Sequence, residues 1–396
     1  MSRNLKLGIF GFGVVGQGLY HVLEETKGIK AEILKICVKN RSKNRALPMK
    51  YFTFDKDEVL DNPEVDVVLE LIDDPKAAFE IVSAALKKGK AVVTANKKMV
   101  ADHMTELCEL QQLYNAPLLY EGSCCASIPI IRNLEEYYDN DLLSAVEGIF
   151  NGSTNFILTK VFAEQKSFDE ALAEAQQLGY AESDPRLDVE GFDPKYKLCI
   201  ILTHAFGLFA EPEEVVNYGI QNISDFDIKI ARERGYKIKL VAKSRKVDDK
   251  VMAMVMPQFV SPKSQLYKVE REFNGVIVEG AFSEHQFFMG KGAGGYPTGS
   301  AVLSDISALT YAYKYEYKKT RQDSGLQLTR DFQIKIYLRF DHTVGIDRDR
   351  FDKIYEEYKA LDNQYIIGEI NFDRLTSSEW FRHPKVNIIL LEPEED

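Results

Sequence analysis

Short apolar segments alternate with longer amphipathic segments through the first third of the chain. Apolar runs predict strands at 5–10, 31–38, 65–71, 91–94 and 117–120, and helical patterns fall at 18–25, 75–88 and 99–113. Strands that alternate with helices are typical of a parallel sheet covered by helices on both faces. Ligands of such sheets bind beyond the carboxyl ends of the strands, so functional residues are expected there.

A glycine-rich turn follows the first predicted strand directly. The sequence GFGVVG lies between that strand and a helical pattern. Gly11 permits the tight turn, Gly13 lets a diphosphate approach the backbone, and Gly16 lets helix and strand pack closely. The first amides of the helix, including those of Val14 and Val15, would face the phosphates. We therefore expect a dinucleotide site here, and a purely structural glycine turn is the alternative.

The loop after the second predicted strand is basic. It reads KNRSKNR over residues 39–45, with four basic side chains and no acid. A site that selects NAD usually carries an acid at this place, which binds the ribose 2′-hydroxyl. Lys39 and Arg41 would instead pair with a 2′-phosphate, which favours NADP over NAD. A solvated basic loop without a ligand is the alternative interpretation.

Polar residues follow the predicted strand 91–94, at the edge of the sheet where cofactor and substrate are expected. They are Thr94, Asn96 and Lys97. We predict that Thr94 and Asn96 contact the cofactor and that Lys97 faces the nicotinamide and the substrate. From its position alone, an ordinary surface lysine is the favoured interpretation of Lys97.

A lysine and a cluster of carboxylates mark the middle of the chain. Five acidic residues lie between 182 and 193, and a helix is predicted over 194–206. Lys197 follows Asp193 by four residues, which places both side chains on one face of a helix. Apolar residues come next, so a desolvated amine steered by a carboxylate would suit acid/base chemistry. From the spacing alone, an exposed ion pair of little consequence is the favoured interpretation, and only the accompanying motifs favour the catalytic one.

The composition excludes several classes of function. The 396 residues carry 61 acidic and 50 basic side chains, a net charge of −11. This balance argues against binding to nucleic acid or to anionic membranes, because both need a basic surface. There is no apolar run of membrane-spanning length and no signal-peptide layout, so we expect a cytoplasmic protein. The five cysteines form no CxxC pair, so disulfides, a zinc site and thiol catalysis are not indicated.

Five ordered motifs make the chain similar to homoserine dehydrogenase over residues 5–313. They are the segments 11–16, 94–97, 151–155, 182–197 and 290–301. The resemblance implies a nicotinamide-dependent oxidoreductase that interconverts L-aspartate 4-semialdehyde and L-homoserine in threonine and methionine biosynthesis. It implies NADP or NAD as cofactor, a small amino-acid substrate, and a homodimer or higher homo-oligomer.

The resemblance also assigns roles to individual residues. Lys197 would be the acid/base or proton-relay group at the substrate hydroxyl, Asp193 its partner, and Lys97 would lie at the other side of the reacting carbon. A buried substrate ammonium needs carboxylates. The other positions implied are Glu182 and Asp188 for that ammonium, Thr154 and Gly152 for the substrate, Gly292 and Gly294 for the nicotinamide, and Glu121 with the carbonyls of Cys124 and Ala126 for a monovalent cation such as Na⁺.

Two departures from the family pattern concern the cofactor. The family has two glycines after the strand 65–71, and this chain has Asp73 and Asp74; two carboxylates near a diphosphate would each repel it by about 1 kcal/mol. Where the family has a glycine pair before Ile128, this chain has Ala126 and Ser127. These changes keep a second hypothesis open, that of a degenerate relative which binds a ligand or regulates with little catalysis.

The predicted fold class is α/β. It comprises a Rossmann-type doubly wound parallel sheet, an α+β substrate and dimerisation domain, and a small C-terminal ACT-like α+β domain. The expected boundaries are 1–125 with a return segment 292–320, then 126–291, then 321–396. In the last part, strands are predicted at 332–340, 365–372 and 386–391, and a helix at 350–361. Feedback regulation and oligomerisation are both open as roles for this region.

Overall fold

The structure is a computed structural model that describes residues 4–45, 47–140, 142–164, 166–181, 184–322, 325–360 and 363–392. Its strands are β1 (Leu5–Phe10), β2 (Ala31–Cys37), β3 (Phe52–Thr53), β4 (Val67–Glu70), β5 (Ala91–Thr94), β6 (Leu118–Leu119), β7 (Leu143–Ile149), β8 (Val216–Asn217), β9 (Lys237–Val247), β10 (Lys250–Val260), β11 (Phe273–Gly280), β12 (Glu284–Lys291), β13 (Gln327–Thr329), β14 (Gln333–Phe340), β15 (Phe351–Lys359), β16 (Gln364–Asn371) and β17 (Val386–Leu391). Its helices are α1 (Val14–Glu25), α2 (Asp57–Leu60), α3 (Pro75–Lys87), α4 (Lys97–Asp102), α5 (Met104–Tyr114), α6 (Ile130–Glu136), α7 (Gly152–Glu164), α8 (Phe168–Gln177), α9 (Arg186–Val189), α10 (Phe192–Phe206), α11 (Asp225–Glu233), α12 (Gly295–Leu309) and α13 (Phe372–Thr376).

The first sheet is parallel throughout and has the order β3-β2-β1-β4-β5-β6. Its central strands are apolar and buried on both faces, as expected where helices cover both sides. Strand order reverses between β1 and β4, and ligands bind at such a point in doubly wound sheets. The predicted α/β fold with a Rossmann-type sheet is confirmed.

One continuous helix was predicted over 99–113, and this prediction was wrong. The segment forms α4 and α5, and His103 between them has φ −132° and ψ 23°, outside the helical range. The first of these helices, α4, begins at Lys97, two residues earlier than predicted and just after β5. A separate short helix therefore carries Lys97 as its first residue.

The second sheet is mixed and has the order β12-β11-β7-β9-β10-β17-β14-β16-β15, with β8 and β13 also paired to β10. The long hairpin of β9 and β10 forms its centre and is antiparallel over eleven residue pairs. β17 lies parallel to β10 and antiparallel to β14, so the last strands of the chain continue the same sheet. An apolar core forms between these C-terminal strands and Met252, Met254 and Met256 of β10.

The predicted helix at 350–361 was also wrong, because that segment contains the strand β15. Phe351, Ile354, Tyr355 and Tyr358 have the spacing of a helix face. The strand instead contains two irregularities in its pairing with β16, between Phe351 and Lys353 and between Ile354 and Glu356. Such bulges shift which side chains share a face, so apolar residues three apart both reach the core. The ACT-like assignment of this region stays a prediction.

The chain divides into two compact units. The first consists of residues 1–141, 199–211 and 290–323, and the second of residues 142–198, 212–289 and 324–396. The three-domain division expected from the sequence stays a prediction. In the described ranges, no helix combines the length and the apolar character needed to cross a bilayer.

Candidate active site

The glycine-rich turn joins β1 to α1 in the first unit and leaves one side of the backbone open. Gly11 has φ +93°, and a Cβ there would lie 2.4 Å from the carbonyl oxygen of Leu71. A Cβ on Gly16 would lie 2.8 Å from the carbonyl oxygen of Gly11. By contrast, a Cβ on Gly13 would meet no atom within 4 Å. The turn is therefore packed tightly on one side and open at Gly13, which fits the approach of a diphosphate.

The helix after the turn begins at Val14, four residues earlier than predicted. Gly13 is its N-cap and gives its amides no side-chain hydrogen bond. Val14 is exposed and Val15 is half-buried. The first turn of α1 thus presents backbone N–H groups and the positive end of the helix dipole, the arrangement that binds phosphate groups.

The return segment packs against the same helix. Gly294 has φ +112° and precedes α12. A Cβ on Gly18 would lie 2.0 Å from the carbonyl oxygen of Gly295, and a Cβ on Gly295 would lie 2.8 Å from the carbonyl oxygen of Val14. Glycine is thus required on both helices for this close approach. Gly292 is buried, and Gly294 directly precedes Gly295, the residue by which the return segment contacts α1.

The basic loop after β2 is organised by aromatic rings and one carboxylate. The Arg41 guanidinium lies 4.5 Å from the centre of the Phe54 ring. Lys39 forms an ion pair of 3.6 Å with Asp74, and the side chains are 80% and 52% exposed. Asp74 is also the N-cap of α3 and accepts hydrogen bonds from the backbone N–H groups of Lys76 and Ala77, each at 3.1 Å.

These contacts account for one of the unexpected carboxylates. The N–H group of Ala77, followed by the charge of Lys39, lowers the pKa of the Asp74 carboxyl, so the group is anionic at neutral pH. Its charge is directed to a helix N-terminus and a lysine, both of which stabilise it. Asp74 is therefore part of the local structure rather than a bare negative charge beside the glycine-rich turn.

Thr94, Asn96 and Lys97 lie at the carboxyl end of β5, as predicted. The Asn96 side chain caps α4 by accepting a hydrogen bond of 3.0 Å from the N–H of Met99. The Thr94 hydroxyl accepts one of 3.0 Å from the N–H of Asn96. Lys97 follows as the first residue of α4 and is half-buried. Hydrogen bonds thus join Thr94 to Asn96 and Asn96 to the helix α4, whose first residue is Lys97.

The second unit contains the predicted lysine and carboxylate pair. The Lys197 ammonium donates to Asp193 Oδ2 and to the carbonyl oxygen of Phe150, both at 2.7 Å. The two charged side chains are only 7% and 6% exposed. The pair is therefore buried, not the exposed ion pair that the spacing also allowed. Helix α10 begins at Phe192, two residues earlier than predicted, so Asp193 lies in its first turn.

An asparagine joins this pair to a second carboxylate. Asn151 Nδ2 donates to Asp193 Oδ2 at 2.8 Å and to Asp188 Oδ1 at 2.6 Å. Its side-chain oxygen accepts from the N–H of Thr154 at 2.8 Å. Asp188 is half-buried, so it is more accessible than Asp193. The structure thus brings Asp188, Asp193 and Lys197 together, whereas the predicted substrate ligand Glu182 lies outside the described residues.

The two other predicted substrate residues lie at the start of α7. Thr154 is fully buried, and its hydroxyl donates to the carbonyl oxygen of Asn151 at 3.2 Å. A Cβ on Gly152 would lie 2.6 Å from the carbonyl oxygen of Glu272, so this glycine is required by backbone packing. Both contacts hold the segment that carries Asn151. A direct contact of either residue with a substrate stays a prediction.

The predicted cation site surrounds a buried glutamate in the first unit. Glu121 Oε1 and Oε2 accept hydrogen bonds from the N–H groups of Ile131 at 2.9 Å and Arg132 at 2.8 Å. Burial and the nearby carboxylate of Asp305 raise the pKa of Glu121 to about 8. Cys124 and Ala126 are buried in the same loop. In the described part of the chain, no three His, Cys, Asp or Glu side chains form a metal cluster, so a cation here would depend on carbonyl oxygens.

Comparison with known proteins identifies the family. The sequence matches the NAD-binding domain of homoserine dehydrogenase over residues 11–121 and the homoserine dehydrogenase domain over residues 129–307. The homoserine dehydrogenase of Helicobacter pylori is 36% identical over 313 residues, which cover 77% of this chain and 74% of that protein. The chain belongs to the homoserine dehydrogenase family.

Solved structures of the family agree. A homoserine dehydrogenase from Thiobacillus denitrificans has a TM-score of 0.88 at 28% identity, and the match covers 98% of both chains. A hyperthermophilic archaeal homoserine dehydrogenase mutant in complex with NADPH has a TM-score of 0.67 at 27% identity and covers 79% of this chain and 99% of that one. The predicted enzyme class is thereby confirmed: the chain is an oxidoreductase of the homoserine dehydrogenase family with a nicotinamide-nucleotide domain.

Two residues at the ends of these strands and helices were missed by sequence reasoning. Asn151, which joins Asp188 to Asp193, was noticed only as part of a polar motif. Glu70 is fully buried at the carboxyl end of β4, where its carboxylate bonds to the Thr94 hydroxyl. A signal for Glu70 existed, because an acid within the apolar run VVLEL is rare without a buried partner. The partners of both residues come from other parts of the chain, which spacing does not reveal.

Proposed function

We propose that this chain interconverts L-homoserine and L-aspartate 4-semialdehyde with Lys197 as the group that transfers the proton. The observation that carries this proposal is the buried Lys197 amine, held at 2.7 Å by both Asp193 and the carbonyl oxygen of Phe150. Removing an ion pair from water is costly, and its geometry must be excellent to compensate. A pair kept in this setting fixes the amine in one position, which proton transfer requires.

The proposed chemistry assigns a destination to each proton and electron pair. In the oxidation of homoserine, the C4–H bond breaks and its electron pair leaves as hydride, which a bound nicotinamide accepts. For this step the Lys197 ammonium must first release a proton to solvent; the resulting amine takes up the hydroxyl proton, directly or through water, and the C4–O bond becomes a carbonyl. The Asp193 carboxylate stabilises the ammonium that forms. In the reverse direction, the Lys197 ammonium returns its proton to the carbonyl oxygen.

The remaining polar groups would bind the rest of the substrate. Asp188 is half-buried and its carboxylate accepts from Asn151, which orients it toward the same cluster as Lys197. We assign it, with Glu182, to the substrate ammonium. Thr154 and Gly152 hold the segment that carries Asn151, and Lys97 is assigned to the other side of the reacting carbon.

We assign NADP rather than NAD as the preferred cofactor. Lys39 and Arg41 lie in the loop after β2, where a 2′-phosphate would bind; Arg41 packs over the Phe54 ring, and Lys39 is exposed beside Asp74. A related enzyme mutant has been solved with NADPH, which supports the assignment. We also propose a monovalent cation near Glu121, Cys124 and Ala126, because its charge would offset the cost of burying the Glu121 carboxylate.

The cellular context follows from the proposed reaction. The enzyme would act in threonine and methionine biosynthesis, in the cytoplasm, as a homodimer or higher homo-oligomer. Its partner molecules would be the amino-acid substrate and the nucleotide.

Substrate turnover tests the proposal against the alternative of a degenerate relative. The purified chain is given L-homoserine and NADP⁺ at alkaline pH, and reduced nucleotide is followed by absorbance, with L-serine and L-threonine as substrate controls. We expect nucleotide reduction with homoserine well above that with either control. Nucleotide binding without turnover of homoserine, or of the semialdehyde in the reverse direction, would favour the ligand-binding alternative.

A further inference from the structure

A closed ring of hydrogen bonds joins the ends of β4 and β5 in the first unit. Glu70 Oε2 accepts from the Thr94 hydroxyl at 2.5 Å, and Glu70 Oε1 accepts from the N–H of Ile72 at 2.8 Å. The Thr94 hydroxyl oxygen accepts from the N–H of Asn96 at 3.0 Å. Asn96 Nδ2 donates to the carbonyl oxygen of Ile72 at 3.1 Å, which closes the ring. Four residues from two neighbouring strand ends are thus fixed against one another.

The ring fixes the helix that carries Lys97. The same Asn96 side chain caps α4 through its oxygen, which accepts from the N–H of Met99 at 3.0 Å. One amide therefore bonds to the ring with its nitrogen and to the helix with its oxygen. Because Lys97 is the first residue of α4, the direction of its backbone depends on this cap.

The other side of the ring adjoins the glycine-rich turn. Ile72 follows Leu71, whose carbonyl oxygen would lie 2.4 Å from a Cβ on Gly11. The Cγ2 atom of Ile72 would lie 3.0 Å from the same Cβ. The backbone that Glu70 holds at Ile72 is therefore in close contact with the turn proposed to bind the diphosphate. Because protein interiors are close-packed, a displacement of this segment would also displace Gly11.

Burying the Glu70 carboxylate at this position costs free energy. Its side chain is fully buried, and burial raises its pKa to about 7, with a further contribution from the charge of Asp73. Hydrogen bonds from Thr94 and Ile72 act in the opposite direction and favour the carboxylate. A glutamine would fill the same volume without the cost of a buried charge. An acid at this position therefore indicates a requirement for two strong acceptor atoms.

We propose that Glu70 is a positioning residue, which holds Lys97 through Thr94 and Asn96 and holds the wall of the glycine-rich turn through Ile72. The inference rests on the proposed function, in which Lys97 is assigned to the reacting carbon, and on the predicted binding of the diphosphate at the glycine-rich turn. It adds that one buried carboxylate sets the relative position of both. Loss of an acceptor at Glu70 should therefore weaken nucleotide binding and catalysis together, although neither ligand is assigned to touch this side chain.

The test compares two substitutions of the same type. Glu70→Gln keeps the volume but offers an amide that cannot accept from both Thr94 and Ile72. Glu135→Gln is the matched control, because Glu135 is also buried in the first unit, where it bonds to His204 and to the N–H of Tyr317 outside the ring. Nucleotide affinity is measured by titration, kcat and KM for homoserine by initial rates, and folding by the urea unfolding midpoint.

We expect Glu70→Gln to raise the Kd of the nucleotide by about tenfold and to lower kcat by at least as much, with a smaller change in KM. Glu135→Gln should leave Kd and kcat within twofold even where its unfolding midpoint falls. Thr94→Val should reproduce the loss, and Thr94→Ser, which restores the hydroxyl, should recover most of it. The double variant Glu70→Gln/Thr94→Val should be little worse than either single variant, because both break the same link.

The outcomes separate this inference from the proposed function. If the wild-type chain neither binds the nucleotide nor turns over homoserine, the proposed function fails. If the wild type is active but the two glutamine variants behave alike, or the Thr94 variants do not differ, Glu70 is only a structural residue and the inference is overturned. If Glu70→Gln fails to fold, Glu70→Asp takes its place, because it keeps the carboxylate on a side chain too short to reach both Thr94 and Ile72; wild-type Kd and kcat in that variant would overturn the inference.

Discussion

Two lysine–aspartate pairs of the same chemical type occupy opposite settings in this molecule. Lys197 and Asp193 are 2.7 Å apart with side chains 7% and 6% exposed. Lys39 and Asp74 are 3.6 Å apart with side chains 80% and 52% exposed. Water screens the second pair, so its attraction contributes little, whereas the first pair interacts strongly and cannot be separated without leaving a buried charge. Burial, rather than the presence of an ion pair, therefore distinguishes a pair held in one geometry from an adjustable surface contact.

The largest effect is expected where the buried amine is removed. Lys197→Met keeps an unbranched side chain of similar length and should lower kcat by about a thousandfold, since general acid/base groups contribute about 10² to 10⁴. Lys195→Met is the matched control on the same helix, because Lys195 is also buried but is not assigned to proton transfer. Initial rates of homoserine oxidation measure both. Equal losses in the two variants would mean that Lys197 acts through packing alone.

The next effect concerns the carboxylate of the buried pair. Asp193→Asn leaves the Lys197 charge in the interior without its counterion, and it should lower the free energy of unfolding by about 3 kcal/mol. The rate should fall by about tenfold to a hundredfold, because the amine loses its orientation. Urea denaturation and initial rates provide the two measurements. A variant as stable and as active as the wild type would show that Asp193 neither compensates the Lys197 charge nor orients the amine.

The exposed pair should influence selectivity without affecting turnover. Lys39→Met removes one cation from the proposed 2′-phosphate site and should raise the Kd of NADP by about tenfold, which corresponds to about 1.4 kcal/mol. The Kd of NAD should change by less than twofold, because NAD lacks that phosphate. Titration with both nucleotides gives the ratio directly. An equal change for both nucleotides would assign Lys39 to general electrostatic attraction instead.

The smallest effect is expected at Asp74. Asp74→Asn keeps a helix N-cap and removes a charge beside Lys39, so NADP should bind about twofold to threefold tighter at low salt and unchanged at high salt. Hydrogen bonds and Lys39 lower the pKa of Asp74, so its contribution to stability is present at neutral pH and is lost as the pH falls through the lowered value. The unfolding midpoints of variant and wild type should therefore converge in acid. Weaker NADP binding would show that Asp74 assists the cofactor.

The sequence predicted the architecture of the first third because buried parallel strands are apolar and their connections are regular. The strand β15 was mistaken for a helix, since its bulges place Phe351 and Ile354 on one face at a helical spacing. Bulges arise from pairing with another strand and leave no clear local signal.

The same limit applies to the candidate active site. The spacing of Asp193 and Lys197 predicted that they share a helix face, but their burial depends on Phe150 and Asn151, which come from another segment. Glu70 was missed because the ring that gives it a role is closed by residues after two different strands. Motifs record local backbone requirements, whereas hydrogen-bond partners distant in sequence are visible only in the fold.

The most direct test of the central claim is a crystal structure of the chain with NADP⁺ and homoserine bound. We expect the Lys197 amine to keep its contact with Asp193. We also expect it to lie within hydrogen-bond distance of the homoserine hydroxyl oxygen or to be joined to that oxygen by one ordered water. An occupied complex in which that hydroxyl is bonded to other groups, with no path from it to the Lys197 amine, would contradict the account.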